Sequence, residues 1–183
     1  MPARRRSAQL GTLLATVLLA AGCGTTEPEP LQAAKPEVPA DLCATVPTEL
    51  RGNLITNANS DETGNPTAAC SLRSPDGSST VVHAVVTWLQ TNDDGTGAEV
   101  LQSQCEGMDR ATLREQSGFR PKGADEACAA SGKVDGADSA TVAASAGRQV
   151  VTVRLTSLPP GKEPAIGRAQ AMLEGVLGSL AGS

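Results

Sequence analysis

Aromatic side chains are the scarcest feature of this chain. Its 183 residues include one tryptophan (Trp88), one phenylalanine (Phe119) and no tyrosine. Sites for sugars and nucleobases commonly stack the ligand on aromatic rings, so the composition counts against both ligand classes. The core must be built from Ala, Val and Leu, and such a core needs additional stabilisation.

Basic residues are too few for a nucleic-acid surface. The chain has 15 Lys and Arg against 20 Asp and Glu, a formal net charge of −5. Nucleic-acid binding needs a face of Lys and Arg, and an acidic surface also disfavours docking on anionic lipid head groups. We expect no nucleic-acid partner.

The motifs of several enzyme and cofactor classes are missing as well. The chain has no Gly-x-Ser-x-Gly elbow, no Ser-x-x-Lys or Lys-Thr-Gly, and no phosphate-binding Gly-x-x-x-x-Gly-Lys. The single histidine, His83, lies in an apolar, strand-like segment, where it is expected to be structural. The adjacent acids Asp125 and Glu126 are expected in a solvated loop. We predict no catalytic residue, no cofactor and a protein that is not an enzyme.

A calcium site is also not expected. Asn57, Asn59 and Asp61 alternate like the start of a calcium-binding loop, but Glu62 stands where that loop needs Gly and Ala68 where it needs Glu. We therefore assign residues 52–66, rich in Asn, Gly, Ser and Thr, to a loop without a metal.

Residues 1–22 have the pattern of an export signal. Three arginines at 4–6 precede an apolar run over 10–21, which is shorter than the roughly 20 residues of a membrane span. Leu19-Ala20-Ala21-Gly22-Cys23 resembles a bacterial lipobox. It predicts cleavage before Cys23 and acylation of that cysteine, with diacylglycerol and palmitate as the anchor. The alternatives are an ordinary signal peptide followed by a chance cysteine, or an uncleaved anchor.

The rest of the chain divides into a tether and one domain. Residues 23–39 carry the lipidated cysteine and a Pro- and Glu-rich stretch, which is typical of an extended linker. Residues 40–183 suit a single domain. No later apolar run is long enough to span a bilayer, so we expect a protein anchored to the cell membrane by lipid, on its extracytoplasmic face.

Four further cysteines, Cys43, Cys70, Cys105 and Cys128, remain after lipidation. An even number outside the cytosol predicts two disulfides. The alternative is that these cysteines bind zinc, but no two of them are as closely spaced in the sequence as zinc ligands usually are. Three pairings are open.

The pattern of apolar residues predicts an α+β fold. It has an antiparallel sheet with flanking helices, arranged as a helix-strand-strand half-repeat plus a C-terminal helix. One cysteine falls in the helix and one in a following strand of each half, which favours the pairs Cys43–Cys70 and Cys105–Cys128. The predicted elements are a short helix after Asp41, strands over 68–73 and 80–90, a helix from a Thr96–Glu99 capping box through Met108 towards Leu113, a strand over 125–131, a hairpin of 141–144 with 149–156, and a helix after Pro164.

Several short segments resemble actinobacterial surface lipoproteins of the domain-of-unknown-function 3558 type. They are 41–43 (Asp-Leu-Cys) with 47–50 (Pro-Thr-Glu-Leu), 68–72 (Ala-Ala-Cys-Ser-Leu), 123–128 (Gly-Ala-Asp-Glu-Ala-Cys) and 147–153 (Gly-Arg-Gln-Val-Val-Thr-Val). Leu72 and Cys128 depart from the aromatic residues common at those positions in the family. The resemblance implies a compact α/β lipoprotein at the cell surface and brings no known catalytic residues.

Together these patterns favour a non-enzymatic, sensor-like accessory lipoprotein of the cell envelope. It would bind a small-molecule ligand or an envelope protein. An envelope enzyme with a non-standard site and a purely structural surface protein are the alternatives. An apolar pocket would favour binding.

The lipid anchor can be tested by metabolic labelling. We expect a radioactive fatty acid to label the wild-type protein and not Cys23→Ala, because the thioether to the acylated glycerol forms on that sulfur. Label that persists in Cys23→Ala would rule out this attachment.

Overall fold

The computed structural model describes residues 38–62, 66–75, 83–91, 96–108, 113–157 and 164–181. The export signal, Cys23 and the tether up to residue 37 lie outside these ranges. Within them, no helix combines the length and the hydropathy that a bilayer-spanning segment needs.

The described residues form one antiparallel sheet of seven strands, flanked by helices, so the predicted α+β class is confirmed. The strand order is β1-β2-β3-β7-β6-β5-β4, and every neighbouring pair is antiparallel. The elements are α1 (Leu42–Thr45), α2 (Thr48–Arg51), β1 (Ile55–Asp61), β2 (Thr67–Arg73), β3 (His83–Gln90), α3 (Gly97–Glu106), β4 (Leu113–Glu115), β5 (Glu126–Val134), β6 (Ala137–Ala146), β7 (Gln149–Ser157) and α4 (Ala165–Leu180).

Each half of the chain begins with a helix and continues as a meander of strands. The first half gives β1–β3 and the second gives β4–β7, and the two meanders join where β3 pairs with β7. The C-terminal helix α4 follows, as predicted. Each half has more strands than the sequence patterns indicated.

The prediction of a loop over 52–66 was wrong, because residues 55–61 form β1. This strand lies at the edge of the sheet, and all seven of its residues are exposed. A strand with no buried face shows no alternation of apolar and polar residues, which removes the main sequence signal. The spacing of Asn57, Asn59 and Asp61 is the two-residue period of a strand.

The helix predicted from Thr96 towards Leu113 is shorter than expected. Gly107 caps it at its C-terminus, Met108 lies beyond it, and Leu113 begins β4. Thr96 is the N-cap, but its side chain makes no capping hydrogen bond. The amide of Gly97 instead donates to the carbonyl oxygen of Gly147, at 3.1 Å.

The main core lies between the sheet and the helices α1 and α4, on what we call the α4 face. The apolar side of α4, which includes Ala169, Leu173, Val176 and Leu177, is buried there. The buried residues of α4 pack on the central strands, whose inward side chains include Val86, Trp88, Val142, Val151, Val153 and Leu155.

Glycine allows α4 to approach the joint between α1 and α2 closely. A Cβ placed on Gly175 would overlap the ring of Pro47, whose Cδ would be 2.5 Å away, whereas a Cβ on Gly178 would meet nothing within 4 Å. Both glycines lie in α4, so they form a matched pair.

We expect Gly175→Ala to lower the free energy of unfolding by about 1–3 kcal/mol, because the helix must move away from Pro47. Gly178→Ala should raise it by up to about 1 kcal/mol, since alanine favours the helix. Urea denaturation of both variants measures this. Equal effects of the two substitutions would contradict the close approach.

Candidate ligand groove

The second face of the sheet, which we call the α3 face, is covered over only part of its width. One row of paired residues crosses six strands on this face: Asn59, Ala69, Thr87, Thr152, Ala143 and Cys128. Ala143 is 0% and Thr152 7% exposed, whereas Thr87 and Asn59 are exposed. The cover therefore ends between β7 and β3.

Helix α3 supplies that cover and is too small to extend further. A ten-residue helix is about 15 Å long and about 10 Å wide, enough for two or three strands spaced about 4.8 Å apart. It contacts β5, β6 and β7. Leu101 buries its side chain there in a small cluster with Ala143 and Val150.

Two attachments hold α3 over this end of the sheet. Cys105 is bonded to Cys128 of β5, with their Cα atoms 6.0 Å apart. At the other end of the helix, Gly97 contacts the β6–β7 turn so closely that an added Cβ would lie 2.7 Å from the carbonyl oxygen of Gly147. The helix cannot shift towards β3 without breaking one of these contacts.

A groove of about 260 Å³ lies where α3 stops. Its floor is made of two adjacent rows of paired residues, and Val100 and Gln104, one turn apart, line it from α3. Asn59 and Asp61 of β1 line its far side. The floor residues on the α3 face are Asn59, Ala69, Thr87 and Thr152 in one row and Asp61, Thr67, Leu89 and Val150 in the next.

The groove combines aliphatic surface with neutral hydrogen-bonding groups. Leu89, Val100 and Val150 supply the aliphatic contacts. Hydroxyl groups come from three threonines of the floor and amide groups from Asn59 and Gln104. Asp61 is the single charged side chain among the described lining residues. This lining fits a small ligand that is partly aliphatic and carries hydroxyl or amide groups.

Trp88 places a spectroscopic reporter beneath the groove. Its backbone lies between the two floor rows, while its side chain is 1% exposed and belongs to the core of the α4 face. Because it is the one tryptophan of the chain, its fluorescence reports on this part of the sheet.

Two other depressions are larger but more open to solvent. One, of about 380 Å³, lies at the start of α4 beside the exposed Lys133–Asp138 ion pair. The other, of about 300 Å³, lies beyond the end of α3, next to Met108 and Leu113. The groove beside Val100 is the most enclosed of the three.

The predicted disulfides are both present and paired as the half-repeat suggested. Cys43 of α1 is bonded to Cys70 of β2, with Cα atoms 5.0 Å apart, and the bond is buried on the α4 face. The second bond, Cys105–Cys128, fixes α3. The lipidation residue Cys23 lies outside the described residues.

Asp125 is exposed in the bend before β5, and its carboxylate also has a structural role. Its carboxylate accepts a 2.7 Å hydrogen bond from the amide of Gly147, and its own amide donates to the carbonyl oxygen of Ser145 at 2.8 Å. Gly147 has a φ of +57° in the β6–β7 turn. Asp125 thus holds the turn on which α3 begins. Its neighbour Glu126 is exposed in β5.

The sequence did not reveal the groove. The alternate spacing of Asn59 and Asp61 places both on the α3 face at the groove, and the described residues contain no cluster suited to a metal ion. The apolar residues of β3 on that face, Val85 and Leu89, are only half-buried. How much of a face is covered depends on the length of α3, which the pattern overestimated.

Comparison with known proteins gives no relative: no family model, no curated protein and no solved structure matches this chain.

Proposed function

We propose that this protein is a lipoprotein of the cell envelope that binds a small ligand in the groove beside α3. It is held on the extracytoplasmic face of the cell membrane by lipid on Cys23. It acts as a non-enzymatic, sensor-like accessory module and is of the domain-of-unknown-function 3558 type. The observation that supports the binding function is the partly aliphatic groove of about 260 Å³ beside α3.

Export of the domain is supported by its cysteines. Both disulfides lie in the domain that follows the lipobox, and one of them is buried in the main core. Disulfides form and persist in oxidising compartments and are rare in the cytosol. A chain that depends on them is suited to the outer side of the membrane.

The size and lining of the groove limit the ligand class. Sites for drug-sized ligands usually range from about 300 to 1,000 Å³, so this groove suits a small molecule or one end of a longer one. Aliphatic side chains favour an alkyl portion, and the amide and hydroxyl groups favour a neutral polar portion. The described lining offers no basic side chain for an anionic group.

Binding in the groove can be tested with the neutral fluorophore N-phenyl-1-naphthylamine, titrated into the full-length protein in buffer with its Trp88 emission recorded. We expect saturable probe fluorescence together with a change in tryptophan emission, because the bound probe lies over the strand that carries Trp88. Ala69→Phe should weaken binding by roughly tenfold or more, since a ring on the floor fills much of the groove.

Ser71→Phe is the matched control. Ser71 lies on the same strand and the same face, two residues from Ala69, but does not line the groove. It should leave the dissociation constant within about twofold. Absence of saturable binding, or equal weakening by both substitutions, would contradict ligand binding in the groove.

A further inference from the structure

The outer edge of β1 is a second surface built for recognition. β1 is the first strand in the sheet order, so one side of its backbone pairs with β2, and among the described residues no strand lies on its other side. The strand runs for seven residues, all of them exposed, and Ile55 is the one large apolar side chain recorded as exposed in the described part of the chain, at 51%.

Proteins commonly protect such an edge, and several of the usual devices are missing from the described part of this one. Edge strands are made unattractive by lysine, proline, bulges or short length. The residues of β1 include no lysine and no proline, and its pairing with β2 runs without a bulge from Ile55 opposite Arg73 to Asp61 opposite Thr67. The opposite edge strand, β4, has only three residues and carries both Arg114 and Glu115.

We propose that the occupant of this edge is a second copy of the same chain, paired β1 to β1 in antiparallel orientation about Ala58. The two seven-stranded sheets then continue into one, related by a two-fold axis perpendicular to the sheet. This inference goes beyond the proposed function and does not depend on it.

The register about Ala58 makes β1 complementary to itself. Ala58 lies opposite Ala58 of the second copy, where small side chains let the strands approach. Asn57 lies opposite Asn59, so that the amide groups meet, and Thr56 lies opposite Ser60. No two like charges are directly opposite, which is the arrangement that destabilises paired strands.

The ends of the strands are complementary in charge. Asp61 of the second copy lies opposite Ile55, and Ile55 lies opposite Arg73 of β2, all on the α3 face. Arg73 is exposed and makes no hydrogen bond or ion pair with any described residue. In the dimer, Ile55 therefore lies between the guanidinium group of Arg73 and the carboxylate of Asp61 of the second copy. The two-fold axis produces this arrangement twice.

The described helices leave both faces of β1 open to a second copy. Residues of β1 that point towards the α4 face, such as Thr56, Ala58 and Ser60, are exposed, as are those on the α3 face. Neither α1 nor α2 buries them.

The dimer also changes the groove. Asn59 and Asp61 line its far side, and in the paired sheet they lie next to Asn57 and Ile55 of the second copy on the same face. Each copy thus contributes an aliphatic side chain beside the groove of the other.

The inference is tested by placing a charged side chain at position 58, next to the two-fold axis, and measuring dimerisation. Ala58→Lys alone and Ala58→Glu alone each place two like charges opposite one another, and should each weaken dimerisation by roughly tenfold or more. An equimolar mixture of the two variants should restore the dimer as a heterodimer. The full-length proteins are measured in a nonionic detergent by sedimentation equilibrium, with Ser103→Lys, on the exposed side of α3, as the matched control.

A wild-type protein that stays monomeric at about 100 µM overturns the inference, since pairing through a single strand is expected to be weak but measurable. So does a dimer that Ala58→Lys leaves unchanged, or one that the mixture fails to restore. These results count for variants that keep the native circular dichroism spectrum. If a variant loses that spectrum, the wild-type measurement decides the question: a monomer overturns the inference and a dimer supports it.

Discussion

The bond between Cys105 and Cys128 is the constraint on which the shape of the functional face depends. It fixes a ten-residue helix over one end of a seven-stranded sheet, and the contact of Gly97 with the turn at Gly147 fixes the other end of that helix. Asp125 holds the turn in its place. Because so short a helix covers only two or three strands, the groove follows from its position.

The two disulfides also add stability to a core that is built almost entirely from aliphatic side chains. With Trp88 as the only aromatic ring fully buried in the described core, each inward side chain removes modest area from water. The two disulfides close loops with sequence separations of 27 and 23 residues, worth about 3 kcal/mol each in the chain-entropy description. One bond holds α1 on the α4 face and the other holds α3 on the opposite face, so the two layers of helix are each fixed to the sheet.

What could be predicted from the sequence follows from burial. β2 and α4 each have one buried side and one wetter side, and their periodicity located them, whereas β7 was located although Val150 and Thr152 on its second face are buried as well. β1 has no buried side, so its polar sequence predicts a loop. Helix α3 ends at Gly107, although the apolar spacing that predicts it continues to Met108 and beyond. The cysteine pairing was accessible because each pair joins a helix to a strand within one half of the chain. The groove could not be predicted from the sequence, because the exposure of Ala69 and Thr87 depends on where a distant helix ends.

Two alanines on the α3 face offer the most direct test of this account. Ala143 lies beneath α3 and is 0% exposed, whereas Ala69 lies in the same row of the sheet, on the groove floor, and is only half-buried. The solvent accessibility of the two methyl groups can be compared by NMR. A soluble paramagnetic agent is added to the full-length protein, and the relaxation of each methyl group is measured. The account predicts strong relaxation enhancement at Ala69 and little at Ala143. Equal protection of the two methyl groups would mean that the face is fully covered, and equal enhancement would mean that α3 does not lie on it.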